Sequence, residues 1–371
     1  MATRKRGINL AMIPSVSGGL GHVTRTLKLA RGLEQADPSL NISYILDEHR
    51  LRPFNVDAVR KTGYPVQILP SPIRHERDAI VREILGEVDV VVEDTSRRLI
   101  AYRRILPRIK AWISIPMLPL WDEVFMDWPR LEHADHILYA YPRVMPLPEE
   151  LEPFRDKITV TGPILDPVAP DRAAGRRRLG LAEDERYILY SPRGFPFGRT
   201  FGRRVINGVV GAYMRLRLER PELRLVLSAV DDLARIQHPT LPPLDQIEGV
   251  ILQGVVAPEV AWDCLSGADL AIVEGTSTLF DAAVARTPVL MVPGKIYETA
   301  LEGTWVETHD AGVVIWVEDV TRATMLRGMR RALEPNAAAD RSARLHELVG
   351  TDGREVAVET VLRIIQDKVG R

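Results

Sequence analysis

A chain of 371 residues exceeds what one hydrophobic core ordinarily serves, so two domains are expected. Its residues are 46% hydrophobic and 27% charged, a globular balance, and 49 basic against 50 acidic side chains leave a net charge of -1. That near-cancellation excludes a general nucleic-acid binder, and the single cysteine, Cys264, excludes disulfides within the chain and cysteine-based metal sites.

The opening Met1–Gly7 gives way to a strand too soon for a signal peptide. No uncharged apolar run reaches the ~18 residues of a membrane span. A cytoplasmic location is expected, with the inner face of a membrane as a place for peripheral contact. Strands and helices then alternate, the pattern of a parallel sheet covered on both faces. A strand at 8–14 leads through Ser17-Gly18-Gly19-Leu20-Gly21-His22 into a helix at 22–36. Further strands are read at 42–47, 66–69, 88–94, 111–115 and 136–141, with helices at 54–62, 97–107 and 122–132. The stretch 88–94 is nearly continuous in apolar residues, as a central parallel strand is. Met117-Leu118-Pro119-Leu120-Trp121 and Phe125-Met126-Asp127-Trp128 concentrate aromatic bulk, for core and loop packing or for an acceptor pocket or lipid contact. Proline and glycine in 157–167 then mark a linker.

The second half repeats the theme, with strands at 187–192, 224–229, 249–253, 269–273, 288–292 and 313–317. Helices are read at 202–218, 258–266, 277–286, 321–333 and 354–368. The expected fold class is α/β: two doubly wound, Rossmann-like domains facing a central cleft, an N-terminal one over 1–164 and a C-terminal one over 165–353.

Chemistry concentrates where strands run into helices. Leu270-Ala271-Ile272-Val273 leads through Glu274-Gly275-Thr276-Ser277-Thr278 into an apolar helix. The first amides of a helix lack partners and sit at the positive end of its dipole, which suits a phosphate. Asp281 lies one turn on, to accept from ribose hydroxyls or to face solvent. Gly18, Gly19 and Gly21 make the first turn a place where backbone closely approaches a ligand. His22, opening its helix, is positioned to act as a general base on a hydroxyl. Asp94 ends the fourth strand, either orienting His22 or capping the next helix. Arg193 ends a strand where a forked contact would neutralise a diphosphate, and Val255 and Val256 offer backbone groups to a base edge. The glycine spacing does not fit a dinucleotide fingerprint, and no Gly-Lys-Ser/Thr follows it. No His/Asp/Glu cluster has metal-ligand spacing, and His133 with His136 spans a helix-to-strand change.

Ser17-Gly18-Gly19-Leu20-Gly21-His22-Val23-Thr24-Arg25 and Glu274-Gly275-Thr276-Ser277-Thr278-Leu279-Phe280-Asp281-Ala282-Ala283 together resemble the paired signatures of GT-B-fold, nucleotide-sugar-dependent glycosyltransferases. Arg286-Thr287-Pro288-Val289-Leu290-Met291-Val292-Pro293 continues the second. In pattern the chain is most similar to the branch with the lipid II-forming N-acetylglucosaminyl transferase and related UDP-glycosyltransferases. The resemblance implies an inverting, metal-independent transfer, with a nucleoside-diphosphate sugar as donor substrate and no cofactor. It places the diphosphate at Gly275 to Thr278, the ribose near Asp281, His22 as base and Asp94 as its partner acid. The family has glutamate where this chain has Asp281. After the proline it holds donor-sugar hydroxyls with glutamine, where this chain offers Glu298 and Glu302. The segment 354–371 is implied to be a helix packing back on the first domain. The acceptor would be a small molecule, glycan or lipid. Hydrolysis or epimerisation of a nucleotide sugar on the same fold is the alternative reading, and non-catalytic binding of one is a third.

Overall fold

The computed structural model describes residues 7–16, 19–49, 51–71, 77–100, 102–118, 128–166, 168–182, 184–192, 199–228, 241–294 and 296–370, with backbone alone at 77, 97, 98, 104, 128–130, 199 and 200. The chain divides into two compact units. The first gathers described residues within 1–118, 123–166 and 351–371, and the second those within 167–350.

The first unit is built on strands β1 (Asn9–Pro14), β2 (Asn41–Asp47), β3 (Val66–Leu69), β4 (Val90–Asp94), β5 (Ala111–Ile115), β6 (His136–Tyr139) and β7 (Ile158–Val160). Among the described residues they form one seven-stranded sheet, every pair parallel, in the order β3-β2-β1-β4-β5-β6-β7. β4 and β5 are buried along their whole length, which is why Val-Val-Val and Ala-Trp-Ile show no alternation of apolar and polar residues. Register sets Pro14 of β1 beside Asp94 of β4, so both strands end together. The helices are α1 (Gly21–Ala36), α2 (Pro53–Arg60), α3 (Arg77–Leu85) and the single turn α4 (Arg97–Ile100).

The second unit has β8 (Arg186–Ser191), β9 (Leu223–Leu227), β10 (Val250–Leu252), β11 (Leu270–Val273), β12 (Val289–Met291) and β13 (Val313–Val314). These form a parallel six-stranded sheet in the order β10-β9-β8-β11-β12-β13. Among the described residues its helices are α5 (Arg172–Leu179), α6 (Arg199–Arg217), α7 (Pro258–Gly267), α8 (Ser277–Ala285), α9 (Tyr297–Thr308), α10 (Arg322–Ala332) and α11 (Pro335–Val349). In each unit the strand order reverses beside the first strand, at β1/β4 and at β8/β11, and doubly wound sheets bind ligands at the carboxyl ends there.

The last helix, α12 (Gly353–Ile365), belongs to the first unit. Ala357, Val358, Val361, Ile364 and Ile365 join the same buried cluster as Val23, Leu27, Ala30 and Leu33 of α1. The helices approach so closely that a Cβ on Gly32 would lie 2.7 Å from Val358 Cγ2. Asp166 ties the junction, accepting from Arg31 at 2.8 Å and Arg354 at 3.1 Å.

Several elements depart from the sequence expectation. The stretch read as a linker contains β7, because Ile158-Thr159-Val160 is a short β-branched run that completes the sheet edge before Gly162 turns the chain. The helix expected over 97–107 is broken into α4 and a 3₁₀ turn at Arg103–Ile105. Of the helix expected over 122–132, residues 122–127 lie outside the described residues, and Trp128–His133 is 3₁₀. Helices α3, α5, α9 and α11 had no counterpart in that reading. In α5 only Gly175 is buried, and its missing side chain lets the helix approach Asp263 and Tyr187, so there is no apolar stripe to detect. Among the described residues no helix is long and apolar enough to cross a membrane.

Candidate active site

In the first unit the chain leaves β1, and the Ser15 N–H donates to the Asp94 carbonyl at 2.8 Å. Gly19, with φ +145°, takes a conformation that other residues rarely adopt. The fully buried Asn55 of α2 fixes this turn by donating from Nδ2 to the Gly19 carbonyl at 3.1 Å. Helix α1 then starts at Gly21, and His22 is its second residue. Gly18 and Ser17 lie outside the described residues.

Asp94 is fully buried at the end of β4. Its Oδ1 accepts from His22 Nδ1 at 2.8 Å, from Arg25 Nη2 at 2.6 Å and from Thr95 Oγ1 at 3.0 Å, and its Oδ2 accepts from Arg25 Nε at 2.7 Å. Burial alone would push this carboxyl up, but the charges of Arg25 and then His22, with their hydrogen bonds, hold it well below the usual carboxylate range. An ionised Asp94 can only accept, so the hydrogen on Nδ1 of a neutral imidazole belongs to this contact and Nε2 keeps its lone pair. The His22 side chain is 19% exposed over an Asp94 side chain that is 0% exposed. Of the two roles weighed from the sequence, Asp94 takes the contact with His22; Thr95 follows at φ +59° with its N–H on the Ile115 carbonyl.

The second unit has a comparable turn after β11. Glu274 is buried and accepts from Tyr190 O–H at 2.5 Å, and burial followed by the charge of Glu274 pushes that phenol well up. Gly275 has φ +122°, and a Cβ there would lie 2.6 Å from Glu302 Oε2 and 2.8 Å from Thr299 Cγ2. Thr276 has φ +49°, a costly conformation for a β-branched residue. Its N–H donates to Glu302 Oε2 at 2.7 Å, so the first amide of the turn already has a carboxylate. The amides of Ser277, Thr278 and Leu279 and the hydroxyls of Ser277 and Thr278 meet no partner among the described residues. The buried Thr276 Oγ1 has none there either.

The remaining expected residues are placed as follows. Asp281 is half-buried on α8, one turn from Ser277. Val255 is exposed and Val256 half-buried just beyond β10. Glu298 and Glu302 are fully buried on α9. Arg193 lies outside the described residues, as do the aromatic stretch at 119–127 and, in its side chain, Trp128, while Met117 and Leu118 are buried. The sequence reading gave Arg25 and Asn55 no role. Arg25, three residues beyond His22 on a helix, carried a usable signal, since that spacing puts both on one face. Asn55 carried none, because its partner is a backbone carbonyl 36 residues away.

No protein-family model matches this sequence, and no curated protein is similar to it in sequence. Its fold is nonetheless shared across whole chains with solved structures. A protein assigned as a UDP-N-acetylglucosamine 2-epimerase from Listeria monocytogenes is 15% identical, with 98% of this chain and 97% of that one covered and a TM-score of 0.71. Medicago truncatula UGT71G1, solved with UDP-glucose, is 14% identical over 100% of both chains at a TM-score of 0.66. MurG of Acinetobacter baumannii is 13% identical over 96% of this chain and 99% of its own at a TM-score of 0.60. Two parallel Rossmann-like sheets in this connectivity are the GT-B fold.

Proposed function

We propose that this chain is an inverting glycosyltransferase that moves a sugar from a nucleoside-diphosphate sugar to an acceptor hydroxyl without a metal. The observation that carries the reading is the His22–Asp94 contact, a partly exposed imidazole aimed by a buried anion at the carboxyl end of a doubly wound sheet. In this reaction His22 Nε2 takes the acceptor's hydroxyl proton as its oxygen attacks the anomeric carbon. The bond from that carbon to the diphosphate oxygen breaks on the opposite face, and the nucleoside diphosphate leaves with the electron pair. The leaving charge is received by the Ser277 and Thr278 amides and hydroxyls at the positive end of α8. Asp281 would hold the ribose, Val255 and Val256 the base edge, and Arg193 the diphosphate. The fully buried Glu298 and Glu302 would form the floor near the donor sugar. Gly18, Gly19 and Gly21 let the acceptor approach the backbone.

The same arrangement supports a second reading, favoured by the likeness to the Listeria protein, in which the nucleotide sugar is epimerised or hydrolysed. Incubation with UDP-sugars and other nucleoside-diphosphate sugars, with and without a panel of hydroxyl acceptors, separates these. Transfer predicts nucleoside diphosphate and a glycoside only when acceptor is present. Free sugar or an epimer from donor alone would replace the reading, and turnover undiminished in His22→Ala would remove the base.

A further inference from the structure

Arg25 stands one helical turn from His22 and reaches the same carboxylate. Its Nε and Nη2 grip the two Asp94 oxygens at 2.7 and 2.6 Å, and Nη2 lies 3.3 Å from His22 Nδ1. The Arg25 side chain is only 13% exposed, so solvent screens this contact little. A buried carboxylate touching an imidazole has two effects. It aims the ring, and it stabilises the doubly protonated form, which has no lone pair to offer an acceptor. A cation seated on the same carboxylate opposes the second effect and leaves the first.

We infer that Arg25 is a positioning residue: it balances the charge of Asp94, so that this carboxylate orients the His22 ring without holding back the proton the ring must release between turnovers. The inference rests on the reading of His22 as the base. Among the described residues, the charged and titratable groups facing the arrangement are Asp94 from β4, Arg25 from α1 and the buried Tyr44 phenol from β2, which burial keeps protonated. Thr95 adds a neutral hydroxyl. Among the described residues, Arg25 is therefore the cation on this carboxylate.

The test is a pH titration of the full-length, ¹⁵N-histidine-labelled protein by NMR, with no ligand added. His22 is identified among the eight histidines by the signal lost in His22→Gln. Arg25→Met should move the His22 midpoint to higher pH by about one unit or more, and Arg25→Lys by less than half of that. The double variant Arg25→Met/Asp94→Asn should return it close to the unaltered protein. A midpoint in Arg25→Met within about 0.3 unit of the unaltered protein overturns the inference. Should Arg25→Met fail to fold, Asp94→Asn is compared with the double variant, in which the midpoint should be higher by about one unit. Equal midpoints there overturn it equally. The titration uses no substrate, so an absence of sugar transfer would sink the transferase reading and leave this result intact.

Discussion

The Glu302 carboxyl accepts the Thr276 N–H at 2.7 Å, and together with the Phe280 N–H on the Thr276 carbonyl at 3.1 Å it holds a threonine at φ +49° at the mouth of α8. A hydrogen bond contributes about 0.5–1.5 kcal/mol, and up to about 3 kcal/mol where the acceptor is ionised, against the about 1–3 kcal/mol that such a backbone conformation costs. Glu302→Ala should therefore lower stability by about 2 kcal/mol and, on the function proposed above, weaken binding of a nucleoside diphosphate such as UDP at least several-fold, while Glu302→Gln keeps an acceptor oxygen and most of the affinity. Urea unfolding and isothermal titration with UDP read the two effects. Equal UDP affinity in all three proteins would show that the turn needs no such support.

Gly275 is held to glycine twice over, by φ +122° and by Glu302 Oε2 and Thr299 Cγ2 standing 2.6 and 2.8 Å from where a Cβ would be. Gly63, at φ +87° with nothing within 4 Å, carries only the backbone restriction. Gly275→Ala should destabilise by about 3 kcal/mol and Gly63→Ala by about 1 kcal/mol, measured by denaturant midpoints. A similar effect at both sites would deny the close packing of α9 beneath the turn.

Asp94 carries a signed pH dependence. Its folded carboxyl titrates below the unfolded value of about 3.9, so its contribution is fully present above that pH and is lost as pH falls through the folded value. Asp94→Asn leaves Arg25 buried without its anion and should cost roughly 3–5 kcal/mol at pH 7. The gap between the two proteins should shrink steadily below about pH 4. Urea midpoints from pH 7 downward test this; a gap constant across the range would contradict an ionised, paired Asp94.

The approach of α12 to α1 can be tested without touching the site. Gly32→Ala raises helix propensity by about 1 kcal/mol, yet its Cβ would meet Val358 Cγ2 at 2.7 Å. The substitution should be net destabilising by about 1–2 kcal/mol, and Val358→Ala should relieve part of it. A double-mutant cycle without coupling would mean that the helices do not meet there.

Much of this architecture is legible from residue order alone, for physical reasons that differ from element to element. Val90-Val91-Val92 and Leu270-Ala271-Ile272-Val273 are central strands buried on both faces, and their shortness, between turn signals, separates such unbroken apolar runs from a helix. β7 was hidden because three residues at a sheet edge, beside Gly162 and Pro163, look like a connection until the neighbouring strand supplies partners. Helix α5 was hidden because a glycine, not an apolar stripe, makes its contact. At the candidate site, the sequence singles out His22, Asp94 and 275–278 through their places at strand ends. It does not show that Arg25 grips Asp94 across 69 residues or that Glu302 reaches back 26 to Thr276, since such pairings exist only once the sheet and helices are assembled.

The placement of α12 also bears on synthesis. Residues 167–350 form a unit without any later segment, whereas the core around β1 and α1 stays open along one side until Val358, Val361 and Ile365 have been made. Domains generally fold as they emerge, N-terminal first. Here the first unit completes its core only when α12 is added, so its apolar flank is covered after the residues of the second unit have been made.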